Sequence, residues 1–244
     1  DYAKKIGVTG YEMGTSATST VFLYASDFLA ENLTIENSSG EGKDIGQACA
    51  ITVDGDRVAF INCRFVANQD TIYTYGKGQR QYFRDCWIEG TTDFIFGAST
   101  CWFEGCTILS KKNSYVTAAS TPEIEEYGYV FNNCRLIHDE NATKVYLGRP
   151  WRSYAKTVFI NCELGDHILK EGWFYCNENE QLSAVDKNDF SIEVDGQKVK
   201  FDAVFNAIHG TPGEDGLMQA YFALLEIPQS SCGYYQAALT FNKR

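Results

Sequence analysis

Proline, histidine and long apolar runs are all scarce in this chain. Four prolines in 244 residues, against 21 glycines, exclude a proline-rich or low-complexity polymer and leave an ordered globular or repetitive fold. Only His138, His167 and His209 could supply imidazole, and no two of the nine cysteines stand in a CxxC pair, so no metal site is expected. No stretch is long and apolar enough for a transmembrane helix, and no export signal stands out. The opening Asp1-Tyr2-Ala3-Lys4-Lys5 reads as the interior of something longer. Basic residues are outnumbered, 21 to 32, for a net charge of −11. That argues against nucleic acid or an anionic membrane as partner. It would also repel a strongly anionic polysaccharide, and a neutral or esterified one far less.

What the chain has is repetition. Phe60-Ile-Asn-Cys63-Arg-Phe65 returns as Phe83-Arg-Asp-Cys86-Trp-Ile88, Phe103-Glu-Gly-Cys106-Thr-Ile108, Phe131-Asn-Asn-Cys134-Arg-Leu136 and Phe159-Ile-Asn-Cys162-Glu-Leu164. A looser copy, Leu29-Ala-Glu-Asn32-Leu-Thr34, precedes them. The cysteines step by 23, 20, 28 and 28 residues (86 − 63, 106 − 86, 134 − 106, 162 − 134). An apolar phrase returning at such steps marks a solenoid. Its richness in Val, Ile, Phe, Tyr and Thr with period-two alternation makes the units strands. The expected fold is all-β, a right-handed parallel β-helix, with internal ladders of Phe and Cys and a coil-to-coil spacing of about 4.8 Å. Free cysteine packs as a small hydrophobe, so these five are read as core.

A second strand per coil aligns on Ala50, Ile72, Ile95, Val116 and Leu147 as central positions. In that alignment Gln47 stacks on Gln69, and Asp70 on Asp93. The cysteine register agrees, because 70 − 63 and 93 − 86 are both 7. Like charges on adjacent coils cannot both ionise cheaply, so one carboxyl should be pushed up while the other stays low. Such a split suits an acid beside a nucleophile; two turn aspartates capping strand ends are the bland alternative. On a flat strand Gln69 and Asp70 would face opposite ways, so a shared site requires a turn between them. Ser38–Gly46 and Lys111–Asn113 read as loops. Arg149 could hold a carboxylate ionised and Trp151 could be a flat platform for a ring, or both could belong to a surface turn.

Gln47-Ala-Cys-Ala-Ile51, Gln69-Asp-Thr-Ile-Tyr73, Asp93-Phe-Ile-Phe-Gly97 and Leu147-Gly-Arg-Pro-Trp151 resemble, in order, four signature blocks of pectin methylesterases. The resemblance runs from about Glu12 to Gly172. It implies a right-handed parallel β-helix that hydrolyses methyl esters of polygalacturonate without metal or cofactor. By the same resemblance, Asp93 would be the nucleophile and Asp70 the acid and then the base. Gln47 and Gln69 would stabilise the oxyanion, and Arg149 would hold Asp93 ionised. Tyr73, Phe96, Trp151 and Trp173 would line the sugar groove. It also implies an exported protein, secreted or periplasmic, acting as a monomer on methyl-esterified pectin. Family members carry further coils before the equivalent of Asp1, so the upper end of this helix is expected to lie open. Two other readings stay open at this stage: an impaired, pectin-binding or inert fragment, and a glycosidase, since paired carboxylates also cleave glycosidic bonds.

After Lys170-Glu-Gly-Trp173 the pattern changes. Asp186-Lys-Asn-Asp-Phe190, Val199-Lys-Phe-Asp202, His209-Gly-Thr-Pro-Gly-Glu-Asp-Gly216 and Ala238-Ala-Leu-Thr-Phe-Asn-Lys243 resemble the N-terminal part of D-alanine–D-alanine ligases. The chain thus divides into residues 1–171, a pectinesterase-like β-helix, and 172–244, a small α/β segment. In that segment strands are expected at Ser191–Val194 and Val199–Phe205, and a helix at Leu217–Leu225. The nucleotide-binding domains of such ligases are missing, so no ligation is expected from it.

Overall fold

A computed structural model of the chain describes residues 1–174, 186, 188–194, 197–204 and 215–241. Two compact units divide it, Asp1–Cys176 and Asn177–Arg244.

In the first unit the chain winds through six coils, and each coil gives one strand to each of three six-stranded sheets. One face carries Val21–Leu23, Ile51–Val53, Ile72–Thr74, Ile95–Gly97, Tyr115–Ala119 and Tyr146–Gly148. The second runs from Leu29–Glu31 to Thr157–Ile160, and the third from Thr34–Glu36 to Glu163–Leu164. Every pairing among the three sheets is parallel, between successive coils. This is the parallel β-helix expected from the repeat.

The repeated phrase is not one strand but two, joined by a corner. Asn32, Asn62, Asp85, Asn133 and Asn161 all have φ between 51° and 58°, and Gly105 has φ 61°. Each is the residue before the Leu or Cys of its phrase. Asn, Asp and Gly are the residues that enter the left-handed region at least cost, so this column sets the bend between the second and third faces.

The phrase also fills the core. Phe60, Phe83, Phe103, Phe131 and Phe159 stack with ring centroids 5.1, 4.7, 4.4 and 4.4 Å apart. The thiols of Cys86, Cys106, Cys134 and Cys162 donate to the carbonyls of Phe60, Phe83, Phe103 and Phe131, at 3.4 to 3.5 Å. Each cysteine is thus tied to the phenylalanine one coil earlier, and both ladders are present. No disulfide joins any of the described cysteines.

Strand register corrects the alignment of the first face. Ile51, not Ala50, pairs with Ile72, and Ile95 pairs with Thr117, which pairs in turn with Gly148. The amides of Ala50 and Ile51 both reach the Thr71 carbonyl, at 2.8 and 3.3 Å, while Ala48 N–H bonds the Gln69 carbonyl. One residue is therefore inserted ahead of the strand, a bulge. It restores Gln47 to the level of Gln69, which a uniform register through Ile51 would have put out of step. The segment read as a loop at Ser38–Gly46 holds one helical turn, Gly42–Ile45.

The second unit pairs Ile192–Val194 with Gln197–Val199 in antiparallel fashion. The second strand thus lies earlier than the expected Val199–Phe205, because Val199 is already opposite Ile192, where its partner strand begins. Helices span Leu217–Leu224 and Tyr234–Phe241. Phe222 is buried with its ring edge-on to Phe190 at 4.8 Å. His209 and Phe205 lie outside the described residues.

Candidate active site

Two aspartates sit where the chain enters successive strands of the first face. Asp70 has φ 67° and Asp93 φ 49°. These left-handed residues are the turn the sequence demanded: each reverses the alternation, so Gln69 and Asp70 share one side. The ladder runs unbroken through the corner, with Asp70 N–H on the Thr92 carbonyl at 3.0 Å and Asp93 N–H on the Tyr115 carbonyl at 2.9 Å. Non-glycine residues held in this region cost stability and gather at functional sites.

Arg149 completes the pair. It lies just past the strand Tyr146–Gly148, fixed by its own N–H on the Thr117 carbonyl at 2.9 Å. Its Nε donates to Asp93 Oδ1 at 3.0 Å and a terminal nitrogen donates to Oδ2 at 2.5 Å. This two-pronged geometry is the strongest form of a guanidinium–carboxylate pair. The guanidinium carbon also stands 4.6 Å from the centre of the Tyr115 ring. Tyr115 was not singled out from sequence; it is one of many tyrosines, and only its position beneath Arg149 marks it.

Both carboxyls are buried, and burial raises both above the ordinary aspartate range. Asp70 goes well above it, driven by desolvation and then by the neighbouring Asp93 charge. At Asp93 the bonds from Arg149 oppose the rise. The pair splits as expected in order, although Asp93 is raised too instead of staying low. Asp70 is the better proton carrier and Asp93 the more readily ionised.

A cavity of about 510 Å³ gathers Gln47, Gln69, Asp70, Asp93 and Arg149 with Tyr73, Phe96 and Trp151. Thr15, Ser16, Ala118 and Pro150 join its wall, none of which sequence reasoning picked out. Tyr73 and Phe96 stack at 4.3 Å, and Trp151 leans over both at 6.3 and 5.9 Å. Together they make an aromatic wall beside the carboxylates, with Trp151 inclined by 59° and 60° to the other two rings. Gly42 lies against the Gln69 side chain: a Cβ there would stand 2.3 Å from Gln69 Oε1 and 3.0 Å from its Cβ, so a larger residue would displace that amide.

Trp173 is not part of this cavity. It bridges to Gly148, lies 6.1 Å from the Phe159 ring and lines an adjoining depression that shares Arg149 and Pro150 with the cavity. The end of the first face seats it against the core.

A family model for pectinesterases matches residues 4–211. The chain belongs to the pectinesterase family. It is 44% identical over 162 residues to pectinesterase 31 of Arabidopsis thaliana, covering 66% of this chain and 50% of that protein. The pectin methylesterase of Aspergillus niger superposes with a TM-score of 0.63 at 33% identity, over 68% of this chain and 55% of that one. A pectin methylesterase solved in complex with a hexasaccharide gives 0.64 at 26% identity, over 100% of this chain and 76% of that one. These neighbours share the right-handed parallel β-helix. The chain spans half or less of the length of the curated pectinesterases that it first matches. A separate 78-residue part, 32% of the chain, is 67% identical to the D-alanine–D-alanine ligase of Flavobacterium johnsoniae and covers 24% of that protein.

Proposed function

We propose that this pectinesterase-family chain hydrolyses methyl esters of polygalacturonate, releasing methanol and leaving a free carboxylate. One observation carries the reading: the carboxylate forked by Arg149, Asp93, lies one coil from the proton-rich Asp70, with two glutamine side chains in the same cavity. Asp93 attacks the ester carbonyl carbon. The developing oxyanion accepts hydrogen bonds from the Gln47 and Gln69 amides. Collapse of the tetrahedral intermediate breaks the bond to methoxide, which takes its proton from Asp70 and departs as methanol. The acyl group is then an anhydride with Asp93. Asp70, now ionised, takes a proton from water as that water attacks the acyl carbon, and Asp93 leaves as carboxylate.

Glutamine amides suit an oxyanion and not an oxocarbenium ion, which favours ester over glycoside cleavage. Tyr73, Phe96 and Trp151 supply the apolar surface on which a galacturonate ring would lie. The net charge of −11 disfavours stripped polygalacturonate and nucleic acid as partners and is milder toward an esterified chain. Among the described residues no helix is long and apolar enough to cross a membrane. We assign the chemistry to residues 1–171 and none to 172–244. Export and a monomeric state belong to the same reading.

Methanol release from highly methylated pectin tests it, with Asp93→Ala as control. Release by the parent and not by a folded variant is expected. Release by Asp93→Ala would sink the assignment, and pectin binding without turnover by the parent would mark an inert module.

A further inference from the structure

His138, Asp166 and His167 come together on the third face, away from the aspartate cavity. Each offers one ligand atom, and these atoms lie within 4.8 Å of one another. The two imidazole rings are 4.5 Å apart, tilted by 31°.

The hydrogen-bond pattern sets the chemistry. His138 Nδ1 lies 2.7 Å from the Asp139 carbonyl. A carbonyl only accepts, so Nδ1 carries the hydrogen. The neutral ring then has its lone pair on Nε2, which faces Asp166 Oδ1 at 3.1 Å. Two lone pairs oppose each other there unless a proton or another cation stands between them. His167 is 1% exposed, and neither of its ring nitrogens has a hydrogen-bond partner. A buried polar ring without a partner is unfavourable. An Nδ1–H held by a backbone carbonyl is also how metal-bound histidines are commonly oriented.

We propose that His138, Asp166 and His167 bind a divalent transition cation of the zinc class, which clips two successive coils together. Two imidazole nitrogens, one carboxylate oxygen and a water make a four-coordinate shell for such a cation. Ligands about 2.0–2.1 Å from zinc can stand no more than about 4.2 Å apart, so the atoms must close in slightly. Asp166 Oδ1 already stands 3.1 Å from His138 Nε2, and its side chain, 95% exposed, has room to adjust about a cation. His138 ends the strand Arg135–His138, and His167 follows Glu163–Leu164, the strand beside it. His138 and Asp166 are 28 residues apart, the length of the last cysteine step, so the coil repeat brings them together. That is why no short ligand spacing betrays the site and why the sequence argued against a metal.

The test uses the whole chain stripped with EDTA, titrated with zinc chloride by calorimetry and with cobalt(II) by visible absorption, alongside thermal unfolding. One cation per chain is expected, with a Tm rise of several degrees in excess zinc. Asp166→Asn and His138→Gln should each weaken binding at least tenfold and abolish the Tm rise. Asp166→Asn changes an exposed side chain and keeps folding out of the question. His209→Gln, altering the remaining histidine, should leave binding unchanged. No saturable binding by millimolar zinc, or binding that Asp166→Asn and His138→Gln leave intact, overturns the proposal; the cluster would then be an imidazolium–carboxylate pair.

Discussion

Arg149 forks Asp93 from 56 residues away, placing Nε and one terminal nitrogen on the two oxygens of one buried carboxylate. Burial works to protonate Asp93, and the fork works to keep it ionised. In the proposed mechanism, that balance decides whether the nucleophile is ionised at neutral pH.

Replacing the fork should therefore move the pH profile. In Arg149→Lys a point charge substitutes for the two-pronged donor, and less opposes the burial of Asp93. Its carboxyl then protonates at higher pH. The acidic limb of kcat/KM for methanol release should shift upward in pH, with activity at neutral pH falling about 10-fold or more. An unshifted limb would mean that Asp93 does not set it.

Asp70 gives a stability prediction of opposite character. Its folded carboxyl is raised well above the unfolded value, by desolvation first and the Asp93 charge second. The folded state therefore binds more protons, and stability falls as pH rises from the unfolded value through the raised folded one. Asp70→Asn removes the buried charge. The variant should melt higher than the parent at pH 7, with the gap closing as pH falls toward about 4, while methanol release is lost. Equal melting temperatures at pH 7 would contradict the burial argument.

The glutamine pair can be dissected singly. Removing one oxyanion donor costs roughly 10²–10³ in kcat in other enzymes. Gln69→Ala and Gln47→Ala should each fall in that range in kcat, with KM nearly unchanged. A rise in KM at constant kcat would make them ground-state binding groups instead.

The phenylalanine ladder bears on stability alone. Phe103 is fully buried between Phe83 and Phe131. Phe103→Ala should cost about 3–5 kcal/mol in denaturant unfolding. A loss below about 1 kcal/mol would show that the stack relaxes around the hole.

The repeat made the architecture legible. A phrase of Phe, an Asn or Asp, and Cys returning at coil length implies stacked strands with Phe and Cys inside, because only stacking buries those faces. It also carried the corner, since Asn, Asp or Gly recurs where φ must be positive, although the bend itself was not anticipated. Two aspartates at matched offsets from the cysteines implied a carboxylate pair, for the same reason of period.

What lay outside the repeat was settled only in three dimensions. The register of Ile51 depends on a one-residue bulge that no local pattern announces. Trp173 packs against the core at the end of the first face and lines a depression that adjoins the aspartate cavity through Arg149 and Pro150. The Arg149–Asp93 fork joins residues from different coils, as does the His138–Asp166–His167 cluster. Sequence alone determined the period, the ladder residues and the candidates for chemistry, because those follow from local composition repeated at fixed length. The tertiary structure decided which candidates touch, because that depends on bulges and corners whose small offsets add up from coil to coil.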